Sequence, residues 1–385
     1  MRIAHCILEP RYSGAEILVL GLVRAQIAAG VITALIAMRP SEGLFEAELE
    51  ALAKLGCEIF VPPKRLVRQQ RLFWIRHATR GFRPDVLFAH SALPSVYSRI
   101  ALMAMAGVSV VPVLHTDEDF EDYKLRVFEK WMWRRNGAVV GVSPASIRNY
   151  RRLITEKVET RLIPNGVDFE SVRSAAVHRD EVRKRVYEAA PGEVILLQVG
   201  RISPQKQQRL SVEALAALGR MTSLDNIRLV FAGMVEYKEY HLEVEAAARS
   251  LGVSNRIQFL GSRNDIPLLL AGADAHLMPS AWEAQGIVAL EALASGVYCF
   301  FTPLEAFSSF NGMSGVAILP EKSDGAQFAG LLAEAIRTSA TSSRHLREME
   351  SYGFERCAQE YLRLAESLKS GKRGKLSGQD AAYRC

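Results

Sequence analysis

An apolar strand that runs into a glycine turn and a helix occurs twice in this chain, about 190 residues apart, and predicts two similar domains. The first unit begins with the apolar run Arg2–Leu8, turns at Gly14 and continues into a helix that ends at Gly30. The second begins with Val194–Val199 and turns at Gly200. Because parallel strands need crossover connections, each start is expected to open a parallel sheet. The sequence therefore predicts an α/β protein with two Rossmann-like domains facing each other across a cleft.

Further apolar runs extend both predicted sheets, and a polar, charged stretch at Phe169–Gly192 indicates the boundary between them. The basic tail has few apolar residues to bury, so it is expected to be disordered. The predicted division is an N-terminal domain at 1–168, a C-terminal domain at 169–350, a helix at 351–368 that packs back toward the N-terminal domain, and a disordered tail at 369–385. Predicted strands cover 31–37, 57–61, 85–89, 108–114, 138–142 and 161–164 in the first half, and 228–232, 256–260 and 275–278 in the second.

Composition restricts the class of protein. Hydrophobic residues make up 49% and charged residues 23% of the 385 residues, as in ordinary globular domains. The five cysteines are scattered without metal-type spacing, which indicates a reducing compartment and no disulfide framework. Because no apolar run is long enough to span a bilayer and no leader sequence is evident, the expected location is the cytoplasm.

The stretch Pro279–Gly296 is the strongest candidate for a binding site. A short apolar strand leads into a turn of small residues and a helix predicted from Gln285 onward, which Gly296 terminates. The first amides of a helix point at anions, and the helix dipole favours negative charge there. We therefore expect the amides of Gln285, Gly286 and Ile287 to bind a phosphate, with Gly286 allowing the ligand to approach the backbone.

Two glutamates accompany this turn. Glu283 precedes the predicted helix, and Glu291 lies about 12 Å further on if the intervening residues are helical. At that separation the two carboxylates cannot act on one atom, but they can hydrogen-bond two hydroxyl-bearing parts of one long ligand. A sugar on one side of a diphosphate and a ribose on the other is such a ligand.

Two basic segments carry aromatic side chains. Lys64–Arg83 contains seven Lys and Arg residues and no acid, interleaved with Phe73 and Trp74, and Lys130–Arg135 adds two tryptophans. In the first segment we expect the apolar residues on one side of a helix and the arginines on the other. This pattern is typical of a helix at an anionic membrane surface. A domain-surface helix with a solvated basic face is nearly as well supported, whereas no motif indicates a nucleic-acid partner.

The apolar strand at Val108–Leu114 is expected to place His115 at its carboxyl end, where open α/β sheets bind ligands. A histidine satisfied within a loop is the alternative interpretation. Asp117 and Asp119 follow with the spacing of a metal–nucleotide clamp. Because such spacing is common by chance and acidic residues favour the start of the helix predicted at Asp122–Trp133, no metal site is predicted.

Taken in order, these motifs resemble those of the retaining glycosyltransferases of family 4, which have the GT-B fold. The resemblance covers nearly the whole chain, from Met1 to about Leu368. Any one motif alone is a weak signal, but the Asn-Gly-Val-Asp and Gly-Arg…Lys segments with the two spaced glutamates are jointly specific. The matching segments are Ser13–Glu16, His115, Val142–Ser143, Ile163–Asp168, Val199–Lys206, Phe259–Gly261, and Glu283 with Glu291 after Pro279–Ser280.

The resemblance implies that these residues bind successive parts of a nucleotide sugar and its acceptor. The predicted catalytic residues are Glu283, His115, Arg201 and Lys206. Along the ligand, Leu260 and Arg263 would border the base, Glu291 would contact the ribose, Arg201 and Lys206 would hold the diphosphate, Gly14 would let its turn approach the phosphate or sugar, Glu283 would contact the sugar hydroxyls, and His115 would lie by the sugar and the acceptor.

The expected reaction is transfer of a hexose from a UDP- or GDP-sugar to a membrane-associated glycan or glycolipid, in polysaccharide or lipopolysaccharide synthesis at the inner face of the cell membrane. Arg201, Lys206 and the helix amides would neutralise the leaving diphosphate, with no metal or other cofactor. The family implies retention of configuration, with the leaving phosphate accepting the proton of the acceptor. A covalent mechanism through Glu283 stays open. A soluble glycoside product and a non-catalytic nucleotide-sugar-binding protein are the alternatives.

The sequence departs from the family's pattern in four places. Ser13 precedes Gly14 where a Gly-Gly pair is common, Gln207 stands where glycine is usual, and Ala284–Gln285 replaces Gly-Phe. The segment 298–307 also lacks the usual Gly-rich turn. The first three changes leave phosphate binding as an expectation but make the donor harder to infer, because sugar contacts come from those loops.

Overall fold

The computed structural model describes residues 1–41, 43–116, 118–221, 226–338 and 352–370, which form two compact units. The first unit contains the described residues of Met1–Gly166 together with residues 352–370, and the second contains the described residues between 167 and 338. The sequence predicts this boundary two residues later, after Asp168. The tail predicted to be disordered lies, from residue 371 onward, outside the described residues.

Seven parallel strands form the sheet of the first unit. They are β1 (Arg2–Ile7), β2 (Ile32–Ala37), β3 (Glu58–Phe60), β4 (Val86–His90), β5 (Ser109–Leu114), β6 (Val139–Gly141) and β7 (Thr160–Leu162). Their order is β3-β2-β1-β4-β5-β6-β7, so the winding direction reverses between β1 and β4. Strands β1, β4 and β5 are buried along nearly their whole length, as central strands covered by helices on both faces are.

Six helices connect these strands. Two of them, at Ala92–Ala101 and Pro144–Leu153, were not predicted from the sequence. The second of these is capped at its start, since Ser143 accepts a hydrogen bond from the amide of Ser146, at 3.0 Å. The helices are α1 (Gly14–Ala28), α2 (Glu46–Lys54), α3 (Arg68–Phe82), α4 (Ala92–Ala101), α5 (Tyr123–Met132) and α6 (Pro144–Leu153).

The second unit repeats the architecture with six parallel strands. The strands are β8 (Val194–Val199), β9 (Ile227–Ala232), β10 (Ile257–Phe259), β11 (Ala275–Met278), β12 (Tyr298–Phe301) and β13 (Val316–Ile318), and the helices are α7 (Phe169–Ala176), α8 (Arg179–Arg185), α9 (Gln208–Leu218), α10 (Lys238–Ser250), α11 (Ile266–Gly272), α12 (Ile287–Ser295) and α13 (Gly325–Arg337). The strand order β10-β9-β8-β11-β12-β13 reverses between β8 and β11. The prediction of two Rossmann-like α/β units is therefore confirmed. Strands β12 and β13 and helices α7, α8 and α11 were not predicted.

The last helix, α14 (Phe354–Lys369), belongs to the first unit. It packs on α1 and β4, where Tyr361 meets the ring of Phe88 edge to face at 5.1 Å. A side chain at Gly21 of α1 would collide with the ring of Phe354, which explains the glycine there. Lys369 pairs with Asp85 at 2.9 Å near the end of the helix.

The basic helix α3 does not have the single apolar side that the sequence predicted. Ile75 is fully buried, and Trp74 donates a hydrogen bond from Nε1 to the carbonyl oxygen of Ala37, at 2.9 Å. Phe73 points outward and is 74% exposed. Consecutive helical residues differ in direction by about 100°, so three adjacent apolar residues cannot share one face. Within the described residues, every helix is too short or too polar to cross a bilayer.

Candidate functional site

The candidate site of the second unit lies where its strand order reverses, at the carboxyl ends of β8 and β11. Ligands of open α/β sheets bind at such switch points. The loop after β8 carries Arg201 and Lys206, and the loop after β11 carries Glu283. The amide of Ala281 donates to the carbonyl oxygen of Gln205 at 2.8 Å, and Gln205 Nε2 donates to the carbonyl oxygen of Trp282 at 2.9 Å. Gln205 therefore fastens the two loops together.

Lys206 and Glu283, both predicted site residues, form an ion pair between Nζ and Oε1. Their side chains are only 14% and 8% exposed. A buried charge is costly without a partner, so each of these groups holds the other in place. A diphosphate that binds Lys206 must share it with Glu283 or displace that carboxylate.

Arg201 has a comparable arrangement. Its guanidinium pairs with Glu236 and also donates to Gln205 Oε1 at 3.1 Å. Glu236 follows β9 and was not predicted, since no spacing in the sequence relates it to Arg201. The two cations predicted to bind phosphate therefore each lie against a carboxylate in this structure.

Three glycines lie at the carboxyl edge of the same sheet, each just after a strand. Gly200, Gly233 and Gly261 follow β8, β9 and β10, and the amide of Gly233 donates to the carbonyl oxygen of Gly261 at 2.8 Å. A Cβ on Gly233 would lie 2.0 Å from the carbonyl oxygen of Gly200, so no side chain fits there. Gly233 was missed from the sequence, although its position directly after an apolar strand was a usable signal.

Gln207, which replaces the family's usual glycine, has a φ of 50° and precedes helix α9. This left-handed conformation favours glycine, and a glutamine there costs some strain. The loop therefore keeps the backbone path that a glycine would give, despite the substitution.

Helix α12 begins at Ile287, two residues later than predicted, with Gly286 at a φ of 71°. The prediction that the amide of Gln285 belongs to the first turn was therefore wrong, because the left-handed Gly286 separates that residue from the helix. The amides of Ile287 and Val288 have no hydrogen-bond partner within the described residues. They are the free donors at this helix N-terminus.

Glu291 lies further along α12 and is partly buried. Burial, and to a smaller extent the nearby carboxylate of Asp168, raise the pKa of Glu291 to about 7. Asp168 itself caps α7 by accepting a hydrogen bond from the amide of Ser171, at 3.0 Å. Near neutral pH the Glu291 carboxyl group therefore exists in both protonation states.

Leu260 and Arg263, predicted to border a base, follow β10. The amide of Leu260 continues the sheet by donating to the carbonyl oxygen of Phe231 at 2.8 Å. Arg263 is paired with Asp265 through two hydrogen bonds, of 2.9 and 2.5 Å. This pairing raises the pKa of the Arg263 guanidinium, so Arg263 is held within its own loop.

The first unit holds the other two predicted site residues. Gly14 is the exposed first residue of α1, and His115 follows β5 and is partly buried. Both lie at the carboxyl edge of the first sheet. His115 Nε2 lies 2.9 Å from His90 Nδ1, a contact that the sequence analysis missed because the two residues are separated by 25 positions.

The carboxylate of Asp119 is hydrogen-bonded to backbone amides of its own loop and of the start of α4. Its carboxylate accepts hydrogen bonds from the amides of Ala92 at 3.0 Å, His115 at 2.8 Å and Thr116 at 3.1 Å. Asp122, and not Asp119, caps α5 by accepting from the amide of Leu125 at 2.9 Å. Asp117, the other member of the considered metal clamp, lies outside the described residues, within which no His, Cys, Asp and Glu cluster could hold a metal ion.

Two protein families match this chain in succession. The family described as Glycosyltransferase Family 4 matches residues 12–171, and the family described as Glycosyl transferases group 1 matches residues 180–355.

Curated relatives are similar over part of their length. The UDP-Gal:alpha-D-GlcNAc-diphosphoundecaprenol alpha-1,3-galactosyltransferase of Escherichia coli is 24% identical over 226 residues, which are 56% of this chain and 57% of that protein. The lipopolysaccharide glucosyltransferase WaaG of Escherichia coli (strain K12) is 31% identical over 157 residues, 40% of this chain and 41% of that protein. The chain thus spans about half the length of these relatives.

Solved structures are similar over nearly the whole chain. The HepE protein of Anabaena, in complex with UDP and glucose, superposes with a TM-score of 0.74 at 20% identity and covers 96% of this chain and 99% of its own. WaaG, a glycosyltransferase involved in lipopolysaccharide biosynthesis, superposes with a TM-score of 0.69 at 19% identity and covers 97% of this chain and 100% of its own. The fold of these proteins and of this chain is the same.

Proposed function

Because the chain belongs to the glycosyltransferases of group 1 and family 4 and has their GT-B fold, we propose that it transfers a hexose from a nucleotide diphosphate sugar to a glycan or glycolipid. One observation carries the proposal. Arg201, Lys206 and the partner-free amides of α12 surround the carboxyl ends of β8 and β11, beside Glu283. This combination of cations, amide donors and a carboxylate suits a diphosphate attached to a polyhydroxyl group.

The chemistry follows from charge. When the bond between the sugar and the diphosphate breaks, negative charge grows on the leaving phosphate. Arg201, Lys206 and the α12 amides are fixed donors that stabilise this charge without a metal ion. Glu283 accepts hydrogen bonds from the sugar hydroxyls and Glu291 from the ribose. The leaving phosphate accepts the proton of the incoming hydroxyl group, so that the configuration at the transferred carbon is retained.

A membrane-associated acceptor is the finer part of the proposal. Two surfaces of this protein support it. Phe73 on α3 is 74% exposed and Trp131 on α5 is 66% exposed, and each lies among basic residues of the sequence. Exposed aromatic side chains with Lys and Arg nearby bind anionic interfaces. The named acceptor of the galactosyltransferase relative is a diphosphoundecaprenol, which is consistent with a lipid-linked acceptor.

Flotation with phosphatidylglycerol vesicles tests the membrane part. We expect binding at low salt that weakens as salt screens the charges, and weaker binding after Phe73→Ser combined with Trp131→Ser. Val177→Ser is the matched control, because Val177 is 81% exposed in the second unit, outside both basic segments. Absence of flotation at low salt, with transferase activity retained, would favour a soluble acceptor.

A thermal-shift panel of nucleotide diphosphates and their sugars, with and without EDTA, tests the donor site. A ligand present at about 100 times its Kd, and bound only to the folded protein, adds ~2.7 kcal/mol of stability. We expect one nucleotide sugar to stabilise the protein equally with EDTA present, and Arg201→Ala to remove the effect. Stabilisation that EDTA abolishes would contradict the metal-free mechanism, and no stabilisation of folded protein by any nucleotide would contradict the donor site.

A further inference from the structure

Three histidines and one glutamine form a continuous hydrogen-bonded row inside the first unit. Gln26 Oε1 lies 3.0 Å from His5 Nε2. His5 Nδ1 lies 3.0 Å from His90 Nε2, and His90 Nδ1 lies 2.9 Å from His115 Nε2. Adjacent imidazole rings are inclined by only 28° and 26°, so their nitrogens face one another nearly in plane.

The register of three neighbouring strands produces this row. His5 on β1 is paired with Phe88 on β4, and His90 on β4 is paired with Val113 on β5. His90 lies two residues beyond Phe88, and His115 lies two residues beyond Val113. Because side chains two residues apart on a strand share a face, all three imidazoles lie on one face of the sheet and step toward its carboxyl edge.

The row runs from the dry interior to a more open end. Gln26 and His5 are fully buried, His90 is 2% exposed, and His115 is partly buried. Burial lowers the pKa of His5 and of His115 to about 4, and burial together with the neighbouring imidazoles lowers that of His90 well below its ordinary value. At neutral pH all three rings are therefore uncharged, with one N–H group and one lone pair each.

Neutral rings in such a row must all point the same way. The Gln26 carbonyl oxygen can only accept, so His5 carries its proton on Nε2. His5 Nδ1 then accepts from Nε2–H of His90, whose Nδ1 in turn accepts from Nε2–H of His115. The proton positions along the whole row are thus set at its buried end.

Backbone contacts hold His115 at the other end. Its amide donates to Asp119 at 2.8 Å, and the same carboxylate accepts from the amide of Ala92 at the start of α4. Ser91, which follows His90, has a φ of 71° and a ψ of 169°, a conformation that costs energy for any residue except glycine. Its amide donates to the carbonyl oxygen of Val113 at 2.8 Å, which keeps the turn in register with β5.

We propose that Gln26, His5 and His90 are positioning residues that hold His115 in its Nε2–H tautomer, so that His115 Nδ1 offers a fixed lone pair at the carboxyl edge of the first sheet. Nδ1 of His115 has no hydrogen-bond partner within the described residues. Its partner is a hydroxyl group of the transferred sugar or of the acceptor, an identification that rests on the proposed function. A fixed acceptor selects ligands that donate a hydrogen bond at this point.

Nuclear magnetic resonance of the full chain with ¹⁵N-labelled histidine tests the tautomer directly and without ligand. In a neutral imidazole the unprotonated nitrogen resonates far downfield of the protonated one, so each tautomer has its own signature. His115→Asn identifies the signals of His115 among the eight histidines. We expect unprotonated Nδ1 and protonated Nε2 at neutral pH. Protonated Nδ1 in the unaltered protein would overturn the proposal.

Two variants test whether the buried residues Gln26 and His5 determine the tautomer of His115. Gln26→Met keeps the length of the side chain but removes its carbonyl oxygen, and His5→Phe keeps a ring without nitrogens. We expect the His115 signals in both to report a mixture of tautomers. Thr33→Val is the control, because it removes another fully buried polar group from the same sheet and should leave the His115 signals unchanged. A single unchanged tautomer in both test variants would overturn the proposal.

Kinetics separates this inference from the proposed function. If half the Gln26→Met molecules present the wrong tautomer, the apparent affinity of the ligand that His115 contacts should fall about twofold. The proposed function fails if no nucleotide sugar binds, and the spectroscopic result is then unaffected. The tautomer proposal fails on the spectrum alone, even in a fully active transferase.

Discussion

The two sheets reverse their strand order in the same way but present different chemistry at the carboxyl ends. In the first unit the edge carries neutral imidazoles, which are tolerated in a dry interior because every ring nitrogen of the row except His115 Nδ1 has a hydrogen-bond partner in the described part of the chain. In the second unit the edge carries the cations Arg201 and Lys206, each against a carboxylate. One edge is built to direct hydrogen bonds and the other to neutralise charge.

A buried histidine of the second unit sharpens this contrast. His276 on β11 is fully buried, and neither of its ring nitrogens has a hydrogen-bond partner within the described residues. Burial, with Lys206 nearby, lowers the pKa of His276 to about 3. It is therefore neutral like the row in the first unit, but nothing fixes its tautomer. Burial alone therefore does not produce hydrogen bonds between histidines. The strand register must also bring the imidazoles next to one another, as it does for His5, His90 and His115.

The largest effect is expected from removing a cation at the charged edge. Arg201→Ala should lower kcat/KM by about 10²-fold, because one fixed donor to the leaving phosphate is lost. Steady-state kinetics with the donor identified by thermal shift measures this. Arg228→Ala is the matched control, since Arg228 pairs with Glu193 at the amino end of the same sheet, at 2.8 Å. It should lower stability without changing donor affinity, and an equal loss in both variants would contradict the role of Arg201.

A second large effect should separate chemistry from binding. Glu283→Gln removes the charge that faces Lys206 but keeps the shape of the side chain. Transfer should fall by about 10²-fold because contacts to the sugar hydroxyls weaken in the transition state. The nucleotide diphosphate alone should bind as well or better, because Lys206 is released to it. Calorimetry and product assays measure the two quantities, and product formation at the unaltered rate would contradict the assignment of Glu283.

Nucleotide affinity should depend on pH near neutrality through Glu291 of the second unit, and not through His115 of the first. Glu291, with a pKa of about 7, must be ionised to accept hydrogen bonds from both ribose hydroxyls. Nucleotide affinity should therefore fall as the pH decreases from 8 to 6, by up to about tenfold per unit below the pKa. Glu291→Gln should flatten this profile, whereas His115→Asn should not alter it, since His115 titrates near pH 4. A profile unchanged by Glu291→Gln would exclude this residue as its source.

The free energy of unfolding should also change with pH through the titration of Glu291. The folded pKa of Glu291 lies above its ordinary value of 4.5, so the folded protein binds the proton more tightly than the unfolded chain does. This group therefore favours folding most below pH 4.5, and its contribution is lost as the pH rises to about 7. Comparing urea unfolding of the unaltered protein and Glu291→Gln across that range isolates the contribution.

The smallest expected effect tests the pairing of Arg201. Glu236→Gln removes the competing carboxylate at a partly exposed position, so the diphosphate should bind a few times more tightly. Glu213→Gln is a suitable control, because Glu213 pairs with Arg209 on the exposed side of α9. Weaker binding in Glu236→Gln would mean that Glu236 orients Arg201 for the ligand instead of competing with it.

Much of the candidate site could be predicted because its signals are local. The strand, turn and helix around Glu283 lie within a short stretch, and the Gly-Arg…Lys segment lies within another. Helix α12 began later than expected because the sign of φ at Gly286 cannot be inferred from hydrophobic periodicity. Helices α7 and α8 were missed since their polar composition resembles that of a linker.

By itself the sequence determined the two parallel α/β sheets and the cation-bearing loops, because periodicity and turn residues act over a few neighbouring positions. Only the tertiary structure decided which side chains meet. Glu236 reaches Arg201 across 35 positions, and His5 reaches His90 across 85. Such contacts depend on strand order and on register. A slip of one residue in the register of a strand moves its side chains to the opposite face of the sheet. The physical reason is that packing of whole strands, and not any local preference, selects the register.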